Sequence, residues 1–116
     1  MKNIGYEERA KVYDRAIRYY GANEQTIVAI EEMSEVIKAL TKHLRSHYPG
    51  RLITNEGEIA ISNSLASIIE EVADATIMLE QLRLIYEINE EVGAAMDAKI
   101  ERLKERIGYN DQSREA

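Results

Sequence analysis

The stretch from Leu65 to Ile85 constrains the fold more than any other part of the chain. It contains no glycine or proline, and apolar residues recur along it at the spacing of one helix face, about 3.6 residues per turn. This face includes Ile68, Ala75, Met78, Leu82 and Ile85, and it also includes Glu71 and Asp74. An ionised carboxylate taken out of water is costly unless a cation or hydrogen-bond donors compensate it. We therefore expect a helix that holds two acids close to a cation.

The same helix has a separate polar side. That side carries Glu80, Arg83 and Glu87, and we expect these residues to be solvated. Because a solvated side was available, the position of the two acids on the apolar side indicates a site rather than a surface for solubility.

Two helices are predicted before this stretch. Tyr6, Ala10, Tyr13, Ile17 and Tyr20 form one helical stripe, and Gly21 is suited to end that helix. Asn23 can cap a second helix that runs to about His47, before Pro49 and Gly50. Its apolar stripe is Ile30, Met33, Val36, Ile37, Leu40 and Leu44.

The pattern weakens between Ser46 and Asn63, where Tyr48-Pro49-Gly50 is typical of a turn. Asn55 to Glu58 is compatible with a loop or a capped helix start, and we predict a loop. The third helix then covers roughly Ser64 to Glu87.

A fourth helix follows Asn89, which is suited to cap it, and Gly108 ends it. Its stripe is Val92, Met96, Ile100, Leu103 and Ile107. The segment 110–116 is a polar tail, which we expect to be frayed. Four helices without a credible alternating strand predict an all-α bundle in one domain, residues 1–116. Four apolar stripes are difficult to bury within one copy, so we expect a homodimer or homotetramer.

Composition excludes several classes of function. The net charge of −6 argues against non-specific nucleic-acid binding, which relies on basic surface. The absence of cysteine excludes disulfides, thiolate zinc sites and cysteine nucleophiles. Residues 1–10 lack the apolar core of a signal peptide, and no apolar run reaches the roughly 20 residues of a membrane span. We expect a cytoplasmic protein without a membrane partner.

A second group of acids lies on the second helix. Glu31, Glu32 and Glu35 fall within about 100° of one another. Alone, such a cluster is most often a solvated face. If this face turns toward Glu71 and Asp74, the two helices supply an oxygen-rich site of the kind that Mg²⁺ and Mn²⁺ prefer.

The two acidic groups form motifs in a recognisable order. Glu31-Glu32-Met33-Ser34-Glu35 is an EExxE motif, and Glu71-Val72-Ala73-Asp74 is an ExxD motif that follows it. Together they resemble the MazG-like family of all-α nucleoside triphosphate pyrophosphohydrolases, especially its short single-domain phage and bacterial members. The likeness extends over residues 30–40, 69–82 and 99–107. The segment between Glu35 and Glu71 is longer than in compact members of the family.

The resemblance implies a MazG-like four-helix bundle completed by oligomerisation. It implies Mg²⁺-dependent cleavage of a nucleoside triphosphate to the monophosphate and pyrophosphate, as in nucleotide-pool house-cleaning. The metal ligands would be Glu32, Glu35, Glu71 and Asp74, with Glu31 supporting the site or positioning water.

Basic residues would complete the phosphate site. Lys99 and Arg102 lie on one edge of the fourth helix's stripe and are our candidates for substrate contact; the alternative is that they pair with nearby glutamates on an exposed edge. Lys38 and Lys42 are weaker candidates.

Other functions have less support in the sequence. His43 and His47 share a helix face, but the segment lacks the glutamate of HExxH zinc sites. A di-iron bundle needs Glu-x-x-His pairs, and neither histidine follows a glutamate at that spacing. The remaining alternative is a non-catalytic acidic helical interaction module, which predicts no dependence on metal.

Overall fold

The computed structural model describes residues 3–46 and 55–110. Within these residues the protein is all-α and has no strand. The helices are α1 (Tyr6–Tyr20), α2 (Ala22–Ser46), α3 (Asn55–Ile85) and α4 (Asn89–Ile107). The predicted all-α class and the order of four helices are confirmed for this part of the chain.

Most packing between helices occurs along the α2/α3 pair, with α1 against both of them. The side chain of Gln25 donates to that of Gln81 (Nε2 to Oε1, 2.8 Å), and His43 Nδ1 lies 2.7 Å from Ser64 Oγ. The first pair joins the start of α2 to the end of α3, and the second joins the opposite ends. The two helices are therefore an antiparallel hairpin whose register is set by these polar contacts.

The α2 face that packs on α3 is not the face with the most apolar residues. Gln25, Ala29 and Ala39 are the buried residues of α2. The predicted apolar stripe is instead largely exposed on this chain. For example, Ile37 is 65% exposed and Leu44 is 64% exposed. Small side chains allow the helices to approach closely, so the contact favours alanine over the larger residues.

One predicted boundary was wrong, the start of the third helix. α3 begins at Asn55, so the part of the expected loop from 55 to 63 is helical, whereas 47–54 lies outside the described residues. Ser64 is buried, and its hydroxyl donates to the Ile61 carbonyl oxygen at 2.8 Å. With its one proton used there, the hydroxyl oxygen accepts from His43 Nδ1–H. Contact with α2 therefore favours helix where the local sequence favours a loop.

The ends of the other helices agree more closely with prediction. α2 begins at Ala22, so Asn23 lies inside the first turn and not at the cap. α4 begins at Asn89 itself, and Gly108 ends it in the left-handed conformation, with φ of 67°. The turn between α3 and α4 contains Glu87, also left-handed at φ 55°. Tyr48-Pro49-Gly50, His47 and 111–116 lie outside the described residues.

α4 extends away from the other helices. None of its residues is buried, and among the described helices it contacts only α3. The Arg83 guanidinium holds the turn by donating to the Asn89 carbonyl oxygen at 2.8 Å. The Cα radius of gyration is 18.5 Å, whereas a compact chain of this length has about 13 Å. One copy of the chain is thus not a closed four-helix bundle.

Candidate metal centre

Three of the predicted ligands come together between α2 and α3. Each of Glu32, Glu71 and Asp74 offers a carboxylate oxygen, and these oxygens all lie within 4.8 Å of one another. Glu71 and Asp74 are three residues apart and so share a side of α3. Glu32 reaches them from the α3-facing side of α2. We call these three residues the acidic cluster.

The acidic cluster is less buried than the sequence predicted. Glu32 and Glu71 are half-buried, but Asp74 is exposed. Three residues of helix turn through about 300°, so Asp74 lies about 60° around α3 from Glu71 and reaches the edge of the hairpin. The prediction of two buried acids is therefore wrong for Asp74, and the cluster opens to solvent along that edge.

Repulsion within the cluster affects Glu32 in particular. Partial loss of water around its carboxyl group, followed by the negative charges of Asp74, Glu71, Glu35 and Glu31, raises the pKa of Glu32 above its usual value. Each of these causes disfavours the ionised form. A bound cation would reverse the local balance, because it favours the ionised form of every carboxylate it contacts.

The donor set fits a hard divalent cation. Mg²⁺ and Mn²⁺ take oxygen ligands, and Mg–O distances of about 2.1 Å place two ligands of one ion roughly 3 to 4 Å apart. The cluster spans 4.8 Å at most, so side-chain rotations of about 1 Å would bring its oxygens to ligand spacing.

Glu31 and Glu35 lie beside the cluster and not within it. Both are exposed, and Glu35 is 3.7 Å from Lys38 Nζ in an ion pair on the surface of α2. They are close enough to influence the charge state of Glu32. Their roles as ligand and as supporting residue remain predictions.

Within the described part of one chain, no contact between helices brings Lys99 and Arg102 close to the acidic cluster. Both are exposed on α4, which contacts only α3 among the described helices. Among the described residues of α4, Lys104 and Glu101 form an ion pair at 3.3 Å, nearly opposite Lys99 and Arg102 around the helix. A role for Lys99 and Arg102 in binding phosphate remains a prediction.

The sequence pattern did not predict a second polar group, which lies at the contact between α1 and α3. Glu80 accepts hydrogen bonds from the Tyr13 hydroxyl and from Arg9 Nε, the latter at 3.2 Å. We predicted a solvated Glu80, but it is half-buried, and Tyr13 is only 5% exposed. Burial, then the hydrogen bond to Glu80, raises the pKa of Tyr13 to about 12. The sequence signal for this contact was the helical stripe of α1 that includes Tyr13.

The comparisons with known proteins assign no family. No family model, no curated protein and no solved structure matches this chain. Among the described residues, no helix combines the length and the apolar character needed to cross a membrane. The resemblance to MazG-like enzymes therefore rests on the two acidic motifs and the segments around them.

Proposed function

We propose that this protein is a Mg²⁺-dependent nucleoside triphosphate pyrophosphohydrolase of the MazG-like type. The observation that carries the proposal is the convergence of Glu32 from the EExxE motif with Glu71 and Asp74 from the ExxD motif. The two motifs are 39 positions apart, counted from Glu32 to Glu71, so local sequence alone does not bring them together. A solvated acidic surface gives no reason for these carboxylates to face one another.

Each acidic residue has a proposed task. Glu32, Glu71 and Asp74 hold the cation, and Glu35 joins them after releasing Lys38, its exposed partner. Glu31 orients the attacking water from the edge of the site. Bound Mg²⁺ would neutralise phosphate oxygens and lower the pKa of a water molecule. The substrate would enter from the Asp74 side, where the cluster is open.

The proposed reaction is hydrolysis at the α phosphorus. An oxygen of water forms a bond to that phosphorus, and the bond to the oxygen bridging the α and β phosphates breaks. Pyrophosphate leaves with that bridging oxygen, and the nucleoside monophosphate keeps the oxygen from water. None of the residues in the cluster is a covalent nucleophile in this scheme, so no phosphorylated enzyme forms.

The first experiment is an assay of pyrophosphate release over a panel of NTPs and dNTPs with Mg²⁺. We expect turnover that EDTA abolishes, and loss of turnover in Glu71→Gln and Asp74→Asn. Glu70→Gln is the matched control, because Glu70 is exposed, adjacent to Glu71 and outside the cluster. Undiminished turnover in Asp74→Asn or in EDTA would refute the proposal.

Labelled water tests the position of attack. In ¹⁸O-water the label should enter the nucleoside monophosphate and be absent from pyrophosphate. Label in pyrophosphate would mean attack at the β phosphorus. The alternative function, a non-catalytic interaction module, predicts no turnover of any nucleotide and no effect of Mg²⁺ on stability.

A further inference from the structure

We propose that Gln25 and Gln81 are positioning residues for the candidate metal centre. The hydrogen bond between their side chains joins Nε2 of Gln25 to Oε1 of Gln81 at 2.8 Å. It fixes the alignment of α2 along α3 that brings the three carboxylates of the acidic cluster together. The inference rests on the proposed function, because it concerns the same metal site. It adds two residues that contact neither metal nor substrate and that act through the helices carrying the ligands.

α2 and α3 meet along a seam of the kind found in coiled coils. The seam consists of buried and half-buried residues that recur alternately at three and four positions on each helix. They are Gln25, Ala29, Glu32, Val36, Ala39 and His43 on α2, and Ser64, Ile68, Glu71, Ala75, Met78 and Leu82 on α3. This spacing is the heptad repeat of a coiled coil. Because Glu32 and Glu71 are seam residues, their separation depends on how far α2 is displaced along α3.

The apolar residues of the seam specify this alignment weakly. Three of them are alanines, Ala29, Ala39 and Ala75, and an alanine side chain is small enough to lie opposite any other seam residue. A shift of one step along the seam, three or four residues, displaces α2 by about 5 Å along α3. Such a shift would keep the alanines in contact with α2 or α3 but would move Glu32 away from Asp74.

The two buried amides specify the alignment strongly. Gln25 is 7% exposed and Gln81 is 4% exposed, so water has little access to replace their hydrogen bond. In a shifted alignment, Gln25 would lie opposite Met78 or Ile85, and each amide would lose its partner on the other helix. Leaving a buried amide without its partner is costly. A polar residue in a coiled-coil seam fixes the register in this way, at some cost in stability.

A second hydrogen bond agrees with the first. His43 Nδ1 lies 2.7 Å from Ser64 Oγ at the opposite end of the hairpin. The two hydrogen bonds are 18 positions apart on α2 and 17 positions apart on α3, so both belong to one alignment. In that alignment Glu32 and Asp74 are level, because each lies seven positions from the glutamine on its own helix. The alignment that satisfies the buried amides is therefore the one that assembles the acidic cluster.

The decisive variant is Gln25→Leu/Gln81→Leu, which removes both amides and leaves neither of them unpaired. Its Tm without metal should equal or exceed that of the wild type, because apolar side chains of similar volume can replace a buried polar pair without loss of stability. Its affinity for Mn²⁺, which takes the same oxygen ligands as Mg²⁺, should fall at least about tenfold. The affinity is measured with Mn²⁺ alone, from the EPR signal of the free ion, so that it does not depend on turnover.

The same titration separates this inference from the proposed function. Wild type that fails to bind Mn²⁺ would refute the metal site, and the positioning role with it. Wild type that binds Mn²⁺, with Gln25→Leu/Gln81→Leu binding it equally, would refute the positioning role alone. The reason is that a purely structural pair affects Tm and leaves the affinity for metal unchanged.

Thr26→Val/Tyr86→Phe is the matched control. The hydroxyl oxygens of Thr26 and Tyr86 are 3.1 Å apart and also join the start of α2 to the end of α3, but on the exposed side of the hairpin. Because water can replace an exposed hydrogen bond, the control should bind Mn²⁺ as the wild type does. An equal loss of affinity in the control and in Gln25→Leu/Gln81→Leu would overturn the inference.

A distance measurement tests the alignment directly. The chain has no cysteine, so Ile27→Cys and Ala66→Cys give two defined sites for spin labels, both at exposed residues. The two sites lie about 20 Å apart along the hairpin axis, so a displacement of α2 along α3 changes the distance between the labels. Pulsed EPR should give a narrow distribution of distances in the otherwise wild-type chain and a shifted or broadened one in the Gln25→Leu/Gln81→Leu background. Identical distributions, with helices intact by circular dichroism, would overturn the inference.

Discussion

The substitution Glu32→Gln should make the metal-free protein more stable and at the same time remove its response to Mg²⁺. Glu32 is the residue whose carboxylate meets the other two from the opposite helix. Glutamine keeps nearly the same shape and removes the charge. Two of the three repulsive pairs in the acidic cluster then disappear, and so does part of the charge that would attract a cation.

The magnitude follows from the separation of the carboxylates. Two unit charges 4.8 Å apart repel by about 0.9 kcal/mol in water. Two such pairs amount to about 2 kcal/mol, and screening over a Debye length of about 8 Å roughly halves this. We therefore expect a gain of about 1 kcal/mol in the free energy of unfolding. For a domain of this size that is a rise of about 4 °C in Tm.

Mg²⁺ should stabilise the wild type much more than the Glu32→Gln variant. A ligand that binds only the native state adds about 2.7 kcal/mol at a concentration of 100 Kd, which for the wild type is a rise of about 10 °C. Glu32→Gln should show little of this rise. Plotted against Mg²⁺ concentration, the wild-type Tm should therefore begin below that of the variant and end above it.

The assay is thermal denaturation followed by circular dichroism at fixed protein concentration and ionic strength. Glu70→Gln is the control for net charge, because it removes one exposed carboxylate of α3 from outside the cluster. Its Tm should shift with Mg²⁺ as the wild type does. A Glu32→Gln protein that melts below wild type without Mg²⁺, or that responds to Mg²⁺ equally, would refute the assignment of the cluster.

Two further predictions concern stability. The pKa of Tyr13 is raised in the folded protein to about 12, from about 10 when unfolded, so its contribution to stability is complete below pH 10 and is lost as pH rises through 12. In urea unfolding, the free energy of unfolding of the wild type should be lower at pH 11.5 than at pH 9, and the decrease should be smaller for Tyr13→Phe. Equal decreases would contradict this. Gln81→Ala should cost about 1 to 3 kcal/mol at neutral pH, since it leaves the buried amide of Gln25 without its partner. In a double-mutant cycle with Gln25→Ala the two losses should not add, and full additivity would show that the pair is not coupled.

Local periodicity was enough to predict the four helices but not the way that they pack. On α2 the apolar stripe predicted a buried face, and the residues that contact α3 are instead Gln25, Ala29, Glu32 and Ala39 together with His43. Gln25 and His43 form hydrogen bonds across the hairpin to Gln81 and Ser64, which are far along the chain. A pattern within one helix carries no information about such partners.

The start of α3 is a second place where the local sequence was not enough to predict the structure. Asn55, Gly57, Ser62 and Asn63 are residues typical of loops, and they predicted a loop where the structure has helix. The convergence of three of the predicted acids was easier to predict, because two motifs with fixed spacings placed Glu32, Glu71 and Asp74 on helix faces. Whether Glu35 joins them depends on side-chain rotation, which the spacing of a motif does not determine.

The polar contact between α2 and α3 and the exposed apolar stripes would have one explanation in the homo-oligomer that the sequence predicts. In a single chain, the α2/α3 contact is the interior, and an interior with Gln25, Glu32 and His43 is an unfavourable one unless each polar group is satisfied. In such an oligomer the interior would lie on the exposed apolar stripes of α2 and α3, and the α2/α3 contact would become the border between that interior and the acidic cluster. Such a border can hold half-buried carboxylates firmly while leaving Asp74 in contact with water. The residues that the sequence marked as core would then be core after all, between two chains rather than within one.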